Sequence, residues 1–158
     1  MTAGPGGTAE ERIAALGIVL LEVRPPAGTF VHAVRSGSML YFGGSVPIRA
    51  DGSVVFGRLG DDLDTAAGCA AARDAALVAL AAMRAELGSL DRVRRIVRLY
   101  GVVNCTAEFR EHTLVINGAS DLLVEVFGDA GRHARLAVGV NSLPWNIALE
   151  VEVTAEVE

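Results

Sequence analysis

The chain has 158 residues, 51% hydrophobic, 21% charged and 5% aromatic, with a formal net charge of -5; this is one globular domain, and two would be crowded. A domain of this size buries roughly two-thirds of the surface its unfolded chain exposes, so it supports a core without disulfides or a structural metal. The acidic balance disfavours a general affinity for nucleic-acid backbones, and all 14 basic residues are Arg, which excludes a Schiff-base lysine and a lysine-bearing phosphate loop.

Taken in order, the first eight residues are small and uncharged, without a basic leader or a long apolar stretch, and read as a disordered tail. Thr8, Glu10 and Glu11 before an apolar run predict a short capped helix to about Leu16, stopped by Gly17. After Pro25-Pro26-Ala27-Gly28, the runs 29–35 and 39–46 flank Ser36-Gly37-Ser38, a hairpin pattern. Asp51-Gly52 turns the chain into a third short strand, 54–57. The Ala-rich segment 63–87 predicts a helix with Leu77, Leu80, Met83 and Leu87 on one stripe and Gly88 as its stop. A β-branched strand follows over 94–104. A second long helix is expected over 108–126, kinked or restarted at Asn117-Gly118 and ended by Gly128. Strands at 134–140 and 147–158, joined by a turn at 141–146, close the chain. No later stretch offers about 20 uninterrupted apolar residues, and Cys69 and Cys105 have no CxxC spacing and no flanking ligand set. A cytoplasmic protein with two reduced core thiols is expected.

This order predicts an α+β fold, a mostly antiparallel sheet with two helices on one face. The division is a tail and short helix over 1–28 and a single domain over 29–158. In the last strand, Leu149, Val151, Val153 and Val157 alternate with Glu150, Glu152, Thr154 and Glu156, so one face meets the helices and the other carries carboxylates. The same alternation puts Leu136, Val138 and Val140 in the core and Arg135, Ala137 and Gly139 on the open face. A hairpin centred near Leu143-Pro144 would bring Arg135 within one diagonal step of Glu150, where an ordinary cross-strand ion pair competes with a functional pair. An open face holding Ala137, Gly139, Gly43 and Gly44 suits subunit packing, so a homo-oligomer is expected.

The segments Gly37-Ser38-Met39-Leu40-Tyr41-Phe42-Gly43-Gly44-Ser45-Val46-Pro47, Leu87-Gly88-Ser89-Leu90-Asp91-Arg92-Val93 and Val102-Val103-Asn104, with His133-Ala134-Arg135 through Leu143-Pro144 to Glu150-Val151-Glu152-Val153, occur in the order seen in the RidA/YjgF family, also called the L-PSP endoribonuclease family. The chain resembles that family from about Thr29 to Val157. The resemblance implies a chorismate-mutase-like fold assembled as a homotrimer with clefts between subunits. It also implies hydrolysis, without a cofactor or metal, of reactive enamines or imines such as 2-aminoacrylate to a keto acid and ammonia. By the same resemblance Arg135 holds the substrate carboxylate, Glu150 serves the attacking water and proton transfer, and Asn117 supplies an amide, with Gly44 beside them. Phe30 stands where the family has Tyr, Gly43 where it has Ser, and Ala137 where it has Cys or Thr. Three polar contacts are gone, which points to a larger or less polar carboxylated ligand. A trimer of the same fold that binds a small metabolite without chemistry is the alternative, and a ribonuclease a distant third.

Among other residues, His133 is either a pH-sensitive base at the cleft mouth or a loop cap, and Trp145 either a lid over the cleft or an anchor of the last turn. Glu108 and His112 at helical spacing give two metal ligands without a third. Ser120-Asp121 lacks a His nearby in sequence and reads as capping. Arg92, Arg94, Arg95 and Arg98 have no interleaved aromatics and read as a solvated edge. The expected partners are a small carboxylate and further copies of the chain, with neither nucleic acid nor membrane.

Overall fold

The structure is a computed structural model and describes residues 6–158; the tail expected at 1–5 lies outside the described residues. Helix α1, Ala9–Ala15, begins at Thr8 with the reciprocal capping pair Thr8 and Glu11. It packs on the third helix, and its Ile13 enters the core. Strands β1, Ala33–Ser36, and β2, Met39–Phe42, pair through a two-residue turn in which Gly37 holds φ 60°. The segment expected as a third strand makes only isolated bridges, Ile48 with Val54 and Phe56 with Ile147. Its backbone instead walls a cavity.

Helix α2, Thr65–Leu87, is capped by the Asp64 side chain and stopped at Gly88 in the left-handed conformation. Among the described residues it is the one helix long and apolar enough to cross a membrane, yet Ala72, Ala75, Ala76, Ala79, Leu80 and Met83 are fully buried in the core. Strand β3, Val93–Asn104, leads to helix α3, which spans His112–Phe127. Glu108 therefore lies in the turn before α3, and no group of three metal-binding side chains occurs among the described residues. Asn117-Gly118 does not kink α3. Gly118 is where α3 meets the backbone of α2, so close that a Cβ would sit 1.9 Å from the Cys69 carbonyl oxygen. Both cysteines are free thiols.

The sheet is mixed, in the order β1-β2-β5-β3-β4, where β4 is Ala134–Val140 and β5 is Leu149–Val157. Strand β4 runs parallel to β3 at the edge, and β5 lies antiparallel to β3 on its other side. The expected β4–β5 hairpin does not form, because the chain after β4 crosses over β3. The face of β4 is also the reverse of the expected one. Arg135, Ala137 and Gly139 are level with Leu99, Gly101 and Val103 of β3, and Leu99 and Val103 are fully buried beneath the helices. Leu136, Val138 and Val140 therefore take the face that no helix covers. The small residues are used where α3 comes closest: a Cβ on Gly101 would meet Ile116 at 2.5 Å, and one on Gly139 would meet His112 at 2.3 Å.

Candidate functional site

The expected site residues fall into two groups. The first is built on the edge of β4 against α3. Arg135 Nη1 donates to Asn117 Oδ1 at 2.8 Å and to Ser120 Oγ at 3.0 Å, and Nη2 reaches the Thr113 carbonyl at 3.5 Å. Ser120 Oγ lies 3.0 Å from His133 Nε2, and His133 Nδ1 lies 2.6 Å from the Gly131 carbonyl. A carbonyl only accepts, so Nδ1 carries the proton, Nε2 accepts from the Ser120 hydroxyl, and that hydroxyl oxygen accepts from Arg135. Burial pushes the His133 pKa down, the Gly131 bond opposes this, and the Arg135 charge adds to the lowering. A neutral imidazole fits the relay. Ser120 is thus no helix cap: the His absent from its sequence neighbourhood arrives through the fold. His133 is more than a loop cap, since it holds both Gly131 and Ser120.

The second group surrounds Glu150. A cavity of about 940 Å³ is enclosed by the irregular segment 21–32, the end of β2 and the loops that follow, and Phe30, Gly43, Gly44, Trp145 and Glu150 all line it. Its walls are largely apolar, including Phe42, Ile48, Phe56 and Val78. Gly44 lies against the acid, and a Cβ there would be 3.0 Å from Glu150 Oε2. Burial raises the Glu150 pKa with no charged partner to offset it. His32 and Arg24 close the rim, where His32 Nε2 donates to the Arg24 carbonyl at 2.6 Å and Arg24 Nη2 to the Gly52 carbonyl at 2.8 Å.

Trp145 is 82% exposed on the cavity wall. It and Asn146 have φ of 52° and 61°, a left-handed backbone that a bulky side chain adopts only when its surroundings impose it. Asn104 imposes it. Fully buried, its Nδ2 shares its two hydrogens among Asn146 Oδ1 at 2.9 Å, the Ile147 carbonyl at 3.1 Å and the Gly57 carbonyl at 3.3 Å. The last turn is therefore anchored by Asn104, which frees Trp145 to stand over the cavity. The one signal in the sequence was the motif Val102-Val103-Asn104, which does not disclose this role.

The two groups do not meet within one chain. Arg135 is level with Leu99 and on the helix side, while Glu150 is level with Val102 and alternates with the fully buried Leu149 and Val151, so it projects from the other face. Ala137 lies with Arg135 on the helix side and packs against the core. The expected diagonal contact between Arg135 and Glu150 is absent for the same reason as the hairpin, since β3 stands between them. The other expected clusters are structural: Arg98 stacks over Tyr100 at 5.6 Å, and Arg92 Nη1 donates to the Leu87 carbonyl at 2.8 Å.

The five-stranded α+β scaffold that carries this acid and this guanidinium is shared by a known family. Residues 10–157 match the family model described as "YjgF/chorismate_mutase-like, putative endoribonuclease", and the chain belongs to this YjgF/RidA family. It is 43% identical over 157 residues to Protein TCP17 of Trypanosoma cruzi, covering 99% of this chain and 98% of that one. A protein named "putative endoribonuclease" from Shewanella oneidensis MR-1 has a similar structure, with TM-score 0.91 and 38% identity over 96% of this chain and all, 100%, of the other. So does a protein of unknown function from Agrobacterium tumefaciens, with TM-score 0.86 and 40% identity over 96% of this chain and 94% of the other.

Proposed function

We propose that the protein is a RidA-like hydrolase that converts a small carboxylate-bearing enamine or imine to a keto acid and ammonia, in clefts completed between copies of a homotrimer. The observation that carries this reading is the placement of Arg135 and Glu150 on opposite faces of one sheet. Each half offers what the other lacks. A neighbouring copy that brings its Arg135 edge to the Glu150 cavity would put a fork of carboxylate-binding donors beside an acid.

In such a cleft the guanidinium, held by Asn117 and Ser120, takes the substrate carboxylate. Glu150 keeps its proton to higher pH than an exposed carboxylate, because burial disfavours its charge. It can therefore donate that proton to the enamine carbon and, as the carboxylate, take one from the attacking water. Water adds to the imine carbon as Glu150 takes its proton; that proton then passes to the nitrogen, the carbon–nitrogen bond breaks with its electron pair leaving on ammonia, and the hydroxyl gives up its proton to the Glu150 carboxylate as the keto group forms. The cavity volume of about 940 Å³ and its aromatic walls favour side chains larger and less polar than that of 2-aminoacrylate.

The test is ammonia and keto-acid release from freshly generated 2-aminoacrylate and from imines of larger apolar amino acids. Wild type should accelerate hydrolysis, Arg135→Ala should lose both turnover and binding, and Glu150→Gln should bind but turn over slowly. Variants equal to wild type would overturn the reading. The loss of polar groups at Phe30, Gly43 and Ala137 favours a second one, a metabolite-binding trimer without chemistry. Arg135-dependent binding with no acceleration across the panel would select it.

A further inference from the structure

Cys105, His112 and Gly139 come from three segments, the residue after β3, the first residue of α3 and the next-to-last residue of β4, and meet at a separate cavity of about 390 Å³. Cys105 Sγ lies 3.4 Å from His112 Nε2. The pair fits only because Gly139 has no side chain, since a Cβ there would sit 2.3 Å from His112 Nε2 and 2.6 Å from Cys105 Sγ. The Phe109 ring stands edge-on to the imidazole with centroids 5.3 Å apart and fixes its plane.

The walls are strongly biased in charge. Arg58 and Arg110 line the cavity, and neither Asp nor Glu does, in a chain with a net charge of -5. Arg58 Nη2 donates to the Cys105 carbonyl at 2.8 Å, which fixes the guanidinium beside that residue, and its buried Nε has no partner. The N-terminus of α3 has no side-chain cap, so the positive end of that helix adds to the same field.

We propose that this cavity is a second small-molecule site, which takes a small carboxylate-bearing electrophile and presents Cys105 as the attacking sulfur with His112 as its base. Burial raises the Cys105 pKa, and Arg58 and Arg110 oppose that rise. The resting thiol is thus protonated, and the imidazole beside it receives the proton as the sulfur attacks. With iodoacetate as the probe, a sulfur–carbon bond forms, the carbon–iodine bond breaks with its electron pair leaving as iodide, and the thiol proton passes to His112 Nε2 and on to water. The guanidinium of Arg58 binds the probe's carboxylate during the step.

Iodoacetate and iodoacetamide share the reacting carbon and differ in charge, so their rates at each cysteine, read by peptide mass on the whole protein, test the proposal. Iodoacetate should alkylate Cys105 faster than iodoacetamide does, by about tenfold or more through local accumulation of the anion, with Cys69 as the reference thiol lacking that preference. Inorganic phosphate should slow iodoacetate at Cys105 and not at Cys69. His112→Asn should slow both reagents at Cys105, and Arg58→Gln should abolish the preference for the anion. Faster reaction with iodoacetamide at Cys105, or an unmodified Cys105 in protein whose Cys69 is labelled, would overturn it. The phosphate experiment uses wild type alone and so decides the matter even if the Arg58 variant fails to fold.

Discussion

The edge of β4 and the cavity above Glu150 are opposite kinds of construction in one small domain. At the edge, Arg135 Nη1 is held by Asn117 and Ser120, and Ser120 in turn by His133 and Gly131, and none of these residues lines either described cavity. At Glu150 there is volume and aromatic surface, but the acid is held by burial alone. The difference teaches where specificity and reactivity would reside. A guanidinium held chiefly through one nitrogen is oriented while its remaining donors stay available to a carboxylate, whereas a desolvated acid with no charge partner keeps its proton to higher pH than an exposed carboxylate.

The largest blow to the polar half should come from Gly118→Ala. Its Cβ would collide with the Cys69 carbonyl at 1.9 Å, forcing α3 away from α2 and carrying Asn117 and Ser120 off Arg135. Overpacking against backbone should cost about 3 kcal/mol or more, seen as a lower urea midpoint. An unchanged midpoint would mean that the helices separate freely. Ser120→Ala is milder. Arg135 keeps Asn117 and loses one acceptor, so stability should fall by about 1 kcal/mol, and carboxylate binding should weaken about fivefold in a titration. An unaltered affinity would remove Ser120 from the positioning of Arg135.

The two halves should also answer to pH in opposite directions. Burial lowers the His133 pKa, so its contribution to stability is present above the ordinary value of 6.5 and is lost as pH falls through the lowered one. Wild type should lose Tm more steeply than His133→Asn as pH falls from 6.5 to the lowered value. Burial raises the Glu150 pKa from 4.5, so the sign is reversed: its contribution is full below 4.5 and is lost as pH rises through the raised value. Glu150→Gln should therefore raise Tm at pH 8 and leave it unchanged at pH 4. The gain should stay under about 1 kcal/mol because solvent reaches part of the group. Parallel pH profiles for the two variants would erase the contrast.

Elements with a local cause were readable in the sequence. Thr8 with Glu11 starts α1, and Gly88 ends α2. The turn at Gly37 disclosed the β1–β2 pair, but the partners of β4 and β5 were not readable, because alternation says which residues share a face and not which strand lies alongside. The reversal of β4 has a packing cause: α3 approaches so closely that only Gly139 and Ala137 fit beneath it, which sends the larger Leu136 and Val138 to the uncovered face. Of the site, Arg135 and Asn117 were legible together, as were Glu150, Phe30 and the glycines. The pairs Ser120–His133 and Cys105–His112 were not, since turns and strand crossings bring them together, and sequence spacing carries no trace of that.

Mixing two impaired variants tests the central claim most directly. If the proposed trimer assembles from equal amounts of Arg135→Ala and Glu150→Gln chains, some of its clefts should have both an intact Arg135 and an intact Glu150, supplied by different copies. With random assembly these are about a quarter of all clefts, so imine hydrolysis should recover to about a quarter of the wild-type rate. Hetero-oligomers of verified composition with no more activity than the two parents would contradict a site completed between copies.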